Sequence, residues 1–167
     1  MKIKLSGIVS ESIVDGPGIR YTVFVQGCPH NCEGCHNPQT HSFSGGYDRD
    51  TDIILNEVLE NPLLDGVTFS GGEPFCQAKQ LAELAKKLKE NKLNVIAYTG
   101  YAFEYLLEHA NAENGYLELL QNIDYLIDGK FVLALKSYEC KFRGSTNQRI
   151  INIPQSLKER RAVIAEL

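Results

Sequence analysis

Three cysteines, Cys28, Cys32 and Cys35, fall within eight positions in the run CPHNCEGCHNP, with the spacing C-x3-C-x2-C. Two prolines and a glycine keep that run from becoming a helix, so it reads as a loop able to wrap three thiolates around one metal centre. The chain has five cysteines, an odd number, and a disulfide framework spaces its cysteines out rather than crowding them. A 4Fe-4S cluster normally takes four cysteine ligands, so three leave one iron open to a ligand that is not protein. The competing reading is a zinc-binding interaction module, with His30 or His36 completing a Cys3His set. Structural zinc more often comes as paired C-x2-C knuckles far apart in sequence, and no second knuckle is present. Cys76 and Cys140 stand alone and are expected to be small buried hydrophobes.

The rest of the composition narrows the setting of this loop. The 167 residues, 43% of them hydrophobic, suit one compact domain spanning residues 1–167. A net charge of −4 and a pI near 5.6 exclude the broad basic surface that nucleic-acid binding needs. No apolar run is long enough for a signal peptide or a membrane span, so a cytoplasmic protein without a membrane partner is expected.

Short β-branched or aromatic runs alternate with helical patterns. Buried strands are expected at Tyr21–Val25, Gly66–Ser70, Asn94–Thr99, Tyr125–Asp128 and Arg149–Ile153. Helices are expected over Asp52–Glu60, Gln77–Glu90, Ala102–His109, Tyr116–Gln121 and Gln155–Glu166; in the second, Leu81, Leu84, Ala85 and Leu88 recur at helical spacing. Such alternation implies an α/β fold with a parallel sheet, either open or a partial (βα) barrel. Chemistry then collects beyond the C-terminal strand ends. Four unusual segments follow those ends: Gln26-Gly27-Cys28, Gly71-Gly72-Glu73-Pro74, Gly100-Tyr101 and Gly129-Lys130. They are expected to face one mouth.

The cysteine loop followed by a GGE loop after the next strand resembles the radical S-adenosylmethionine superfamily. Asp15-Gly16-Pro17-Gly18-Ile19-Arg20, running on into YTVFVQGCPHNCEGCHNP, is similar to the N-terminal part of the activating enzymes of glycyl-radical enzymes. The segments Tyr98–Tyr101, Asp128–Phe131 and Arg143–Gln148 are similar to the activating proteins of anaerobic ribonucleoside-triphosphate reductase. Gly34 before the third cysteine and His36-Asn37 after it are nearer to pyruvate formate-lyase activating enzyme, the second choice.

The resemblance implies a partial, TIM-like (βα) barrel with mostly parallel strands and a 4Fe-4S cluster on Cys28, Cys32 and Cys35. It also implies an oxidoreductase that cleaves S-adenosylmethionine at the open iron, and a 5′-deoxyadenosyl radical that takes hydrogen from a glycine of the partner reductase. An electron donor such as flavodoxin or ferredoxin is implied as well. A small-molecule substrate, as in 7-carboxy-7-deazaguanine synthases, is disfavoured because a short chain has little material for a pocket of its own. Contacts to S-adenosylmethionine are expected from Gly34, Cys35, His36, Gly71, Gly72 and Glu73, with a branched side chain at 72 filling the ligand's space. Asp128 and Lys130 are placed by the resemblance at the same ligand. Arg20, Arg143 and Arg149 receive no role.

Overall fold

The computed structural model describes residues 1–167. One seven-stranded sheet organises it, in the order β3-β1-β2-β4-β5-β6-β7. The strands are β1 (Lys2–Ser12), β2 (Arg20–Val25), β3 (Tyr47–Asp50), β4 (Gly66–Gly71), β5 (Asn94–Tyr98), β6 (Tyr125–Asp128) and β7 (Arg149–Asn152). The middle is parallel, β2 to β4 to β5 to β6, and the edges are antiparallel. The order does not close on itself, so the barrel is partial. No helix is long and apolar enough to cross a membrane.

The five expected strands form, but β7 runs antiparallel to β6. Strands β1 and β3 were not among those expected: in β1 the alternation of Lys2–Leu5 gives way to Ser6-Gly7 and the adjacent Ile8-Val9, and β3 is only YDRD, with one apolar residue. Ile3 and Leu5 nevertheless bury fully, and register shifts around Gly7 and before Ser12 let the strand bend along β2.

Five α-helices follow: α1 (Thr51–Leu59), α2 (Ala78–Glu90), α3 (Phe103–His109), α4 (Tyr116–Gln121) and α5 (Ile153–Glu159). Asp50 caps α1 by accepting the Asp52 N–H at 2.8 Å. In α2 the expected apolar stripe is buried, and Leu81, Leu84 and Leu88 each contribute about 1.5–3 kcal/mol against the sheet. The last helix is shorter than expected. It ends at Arg160 in the left-handed conformation, and the tail then runs back along β7, where Ile164 pairs with Ile151 and Ala165 N–H bonds to Ile150 O. Covering an open sheet edge outweighs continuing the helix.

Alternation along the strands gives the sheet two different faces. Tyr21, Val23, Val25, Val67, Phe69, Val95, Ala97 and Leu126 belong to the large core under the helices. The opposite face carries a smaller apolar cluster of Ile96, Ile127 and Ile150 and, around it, polar groups. Arg20, 1% exposed, is among these. Its Nε donates to Thr68 Oγ1 at 2.7 Å, Nη2 to Val67 O and Asn94 Oδ1 at 2.9 Å, and Nη1 to Pro17 O at 3.2 Å. Burial pulls its pKa down to about 10, so it remains a cation at neutral pH, solvated by neutral oxygens. Arg20 therefore pins the Asp15–Ile19 segment across this face.

Candidate functional site

The loops that follow β2, β4, β5 and β6 meet at one pocket. Cys28, Cys32 and Cys35 line it together with His30, His36, Gly71, Gly72, Gly100 and Gly129. The expected convergence of four loops on one mouth is thus observed. The cysteine loop is curled rather than regular: Asn31 and Gly34 adopt left-handed φ of 49° and 73°. Its ends are tied down by Gly27 N–H to Thr40 O at 2.7 Å and Cys28 N–H to His41 O at 3.1 Å. All three thiols are free and half-buried. Burial pushes the Cys28 thiol up, opposed by the backbone N–H of His30. The backbone N–H of Asn37 donates to the Cys35 sulfur at 3.4 Å.

The three thiols share this pocket, yet no three His, Cys, Asp or Glu side chains converge as they would on a single ion. Tetrahedral zinc gathers its sulfurs at about 2.3 Å around one point. A cuboidal cluster instead takes each thiolate at its own corner, and the three thiols that line this pocket supply three of its four corners. His30 turns its Nε2 to Oε1 of Glu73 at 2.7 Å, which leaves only Nδ1 for any metal.

The glycine pair is built for close packing. Gly71 has φ of 95°, and a Cβ there would sit 2.5 Å from Val25 N; one at Gly72 would sit 2.3 Å from Gly27 O. Gly72 N–H donates to Val25 O and Glu73 N–H to Gly27 O, both at 2.8 Å. A side chain at 72 would therefore strike the backbone preceding Cys28, while the backbone of Gly72 itself lines the pocket. These two bonds lace the two loops into one unit. Glu73 also differs from expectation: it is fully buried and absent from the pocket lining, with both carboxylate oxygens engaged by protein donors.

Asp128 and Lys130 do not line the pocket. Alternation along β6 puts Asp128 on the face of Leu126, under the helices, where its Oδ2 accepts the Phe103 N–H at 2.8 Å. Ala102, the N-cap of α3, has no capping side chain, and Asp128 supplies that cap from across the sheet. Arg149 completes the arrangement, bonding Asp128 and also Glu104. Lys130 is exposed. Asp128→Ala is expected to lower stability by about 2 kcal/mol, the scale of a lost cap plus a broken charge-assisted bond, while leaving iron content unchanged. Urea unfolding checks the first and iron assay the second.

Gly34 flanks the pocket without lining it, while His36 lines it and meets Phe131 edge-on at 5.3 Å. Sequence reasoning missed Asp15, Ser70, Tyr98 and Gln148 in the lining. Ser70 and Tyr98 were within its reach, since period-two alternation from Thr68 and Ile96 puts them on the polar face. Tyr98 donates to Phe142 O at 2.7 Å, and burial pushes its phenol up. Arg143–Gln148 forms one wall: Gln148 Oε1 accepts Gly144 N–H at 2.8 Å, and its Nε2 donates to Gly129 O at 2.9 Å. Cys76 is exposed and Cys140 half-buried, so neither is the buried hydrophobe expected; Cys76 lies in a 3-10 turn whose apolar face is taken by Phe75.

A family model described as "4Fe-4S single cluster domain" matches residues 14–151. The anaerobic ribonucleoside-triphosphate reductase-activating protein of Haemophilus influenzae is 31% identical over 152 residues, covering 83% of this chain and 90% of that protein. The protein of that name from Vibrio cholerae is 34% identical over 148 residues, again covering 83% and 90%. Pyruvate formate-lyase-activating enzyme of Clostridium pasteurianum is 38% identical over 117 residues, 65% of this chain but 49% of the other. Among solved structures, QueE from Escherichia coli superposes with a TM-score of 0.47 at 18% identity, covering 60% of this chain and 53% of that one.

Proposed function

Because the chain belongs to the 4Fe-4S single cluster domain family, and within it to the activating proteins of anaerobic ribonucleoside-triphosphate reductase, we propose that it installs the glycyl radical of such a reductase. The observation that carries this reading is the pocket itself: three free thiols and a Gly-Gly turn meet on one open face of the sheet. A 4Fe-4S cluster held there would offer S-adenosylmethionine an iron without a protein ligand and supply the single electron needed to split it into methionine and a 5′-deoxyadenosyl radical, the species that would take hydrogen from a glycine.

The chain's own residues hold and shield. Cys28, Cys32 and Cys35 would hold three irons, and the Asn37 N–H at the Cys35 sulfur and the backbone N–H of His30 at Cys28 would offset negative charge there. Gly71 and Gly72 line the pocket with their backbone, which the cosubstrate can approach. Cys35 and His36, with Gly34 behind them, border the adenosine and methionine portions. Phe131 and Tyr98 supply apolar walls that limit water around a reactive carbon radical. The single domain of residues 1–167 leaves the mouth to be covered by the partner, and flavodoxin or ferredoxin delivers the electron.

The test follows deuterium. With reductant, S-adenosylmethionine and a reductase labelled at glycine, label is expected in 5′-deoxyadenosine together with a glycyl doublet in the electron paramagnetic resonance spectrum of the reductase. Label passing from pyruvate formate-lyase but not from the reductase would transfer the assignment to the second family, which the 38% identity to the Clostridium pasteurianum enzyme favours.

A further inference from the structure

His30 stands two residues from both Cys28 and Cys32. The loop around it has no regular backbone to stiffen it, yet the His30 side chain is only 5% exposed. Its Nε2 lies 2.7 Å from Oε1 of Glu73. That same oxygen accepts Thr99 Oγ1 and Gly100 N–H, each at 2.8 Å, while Oε2 accepts Phe75 N–H at 2.9 Å. Glu73 is thus anchored both to the end of β5 and to the turn that opens α2. The ring meets Tyr101 edge-on at 4.6 Å. A Cβ on Gly100 would come within 2.4 Å of the ring, so the imidazole occupies the space a side chain at 100 would need. Glycine at 100 and glutamate at 73 are both explained by one histidine.

We propose that His30 and Glu73 form a positioning pair that locks the cysteine loop onto the loops after β4 and β5 and thereby fixes the seat of the cluster. The proposal rests on the cluster reading above. Neither residue is a ligand: one side chain between two ligands is held by a carboxylate whose every other bond goes to rigid backbone or to Thr99. Groups one step behind metal ligands typically set affinity by about 10–100-fold, because they decide where the ligands point. The backbone N–H of His30 bonds the Cys28 sulfur, so a cysteine loop released from the lock would change the surroundings of the cluster.

The experiment uses the full chain with reconstituted cluster in four forms: wild type, His30→Ala, His30→Gln and Glu73→Gln. Three readouts are taken: thermal melting, the rate of iron loss to a chelator, and the electron paramagnetic resonance spectrum of the reduced cluster. His30→Ala is expected to lose iron at least about tenfold faster and to show an altered spectrum. His30→Gln, whose amide nitrogen reaches the position of Nε2, restores both towards wild type. Glu73→Gln, nearly the same size but facing Phe75 N–H with a second donor, behaves like His30→Ala. Wild-type rates and spectra in both His30→Ala and Glu73→Gln overturn the pair. So does His30→Gln failing as badly as His30→Ala while melting like wild type. Should His30→Ala not fold, the Glu73→Gln and His30→Gln comparison decides alone. Wild-type protein without iron and sulfide would sink the cluster reading and the pair together, an outcome distinct from iron-bearing protein indifferent to both substitutions.

Discussion

Cys28→Ala, Cys32→Ala and Cys35→Ala are each expected to give protein that folds but carries no intact 4Fe-4S cluster and cleaves S-adenosylmethionine only at background. Each thiol lines the same pocket, and a three-cysteine site has no spare ligand to take over. Cys76→Ala and Cys140→Ala should keep brown colour, iron content and cleavage, since neither thiol lines the pocket. Anaerobic purification with iron and sulfide assays, followed by quantifying 5′-deoxyadenosine, checks all five. Complete cluster loss in the Cys76 variant would overturn the three-cysteine assignment.

Substituting the glycine pair should come second in effect. At Gly72 a side chain meets Gly27 O at 2.3 Å and Thr40 O at 3.1 Å; at Gly71 it meets Val25 N at 2.5 Å and Phe24 C at 2.7 Å, with φ of 95° besides. All four are backbone atoms and cannot swing aside as a side-chain tip would. Gly72→Val is expected to cost about 3 kcal/mol, the upper end of overpacking penalties, and Gly71→Ala about 2–3 kcal/mol once the strained φ is added. Because Gly27 precedes Cys28, iron content should fall together with affinity for S-adenosylmethionine. Urea midpoints, iron per chain and a binding titration measure the three quantities. A Gly72→Val protein with full iron and weakened binding alone would show that the loop touches the cosubstrate more than the cysteine loop.

The chemistry of the site was legible because it is local. Cys28, Cys32 and Cys35 lie in one short loop, and the number of thiols within reach of each other depends on spacing rather than on distant parts of the chain. The parallel middle of the sheet was legible for a related reason: YTVFV, GVTFS and NVIAY bury both faces, so β-branched and aromatic residues mark them without any need for alternation. Strands β1 and β3 were not, because the short edge strand β3 has one apolar residue in YDRD, and β1, between it and β2, loses its alternation at Ser6-Gly7.

Which residues of those loops face the pocket was a tertiary decision. Glu73 and Lys130 sit two residues past strand ends and Asp128 is the last residue of β6, yet none of them lines the pocket. A charged group close to a buried helix start and an arginine pairs there rather than facing an open mouth, and Asp128, shared between α3 and Arg149, does so. Glu73 likewise meets three donors, His30, Thr99 and Gly100, that come from segments 26 and more residues away. The sequence alone determined that three thiols could hold an iron–sulfur cluster. Only the folded chain decided that Gly72 makes room for Gly27 and that Glu73 holds His30, because both depend on which backbone the sheet brings alongside.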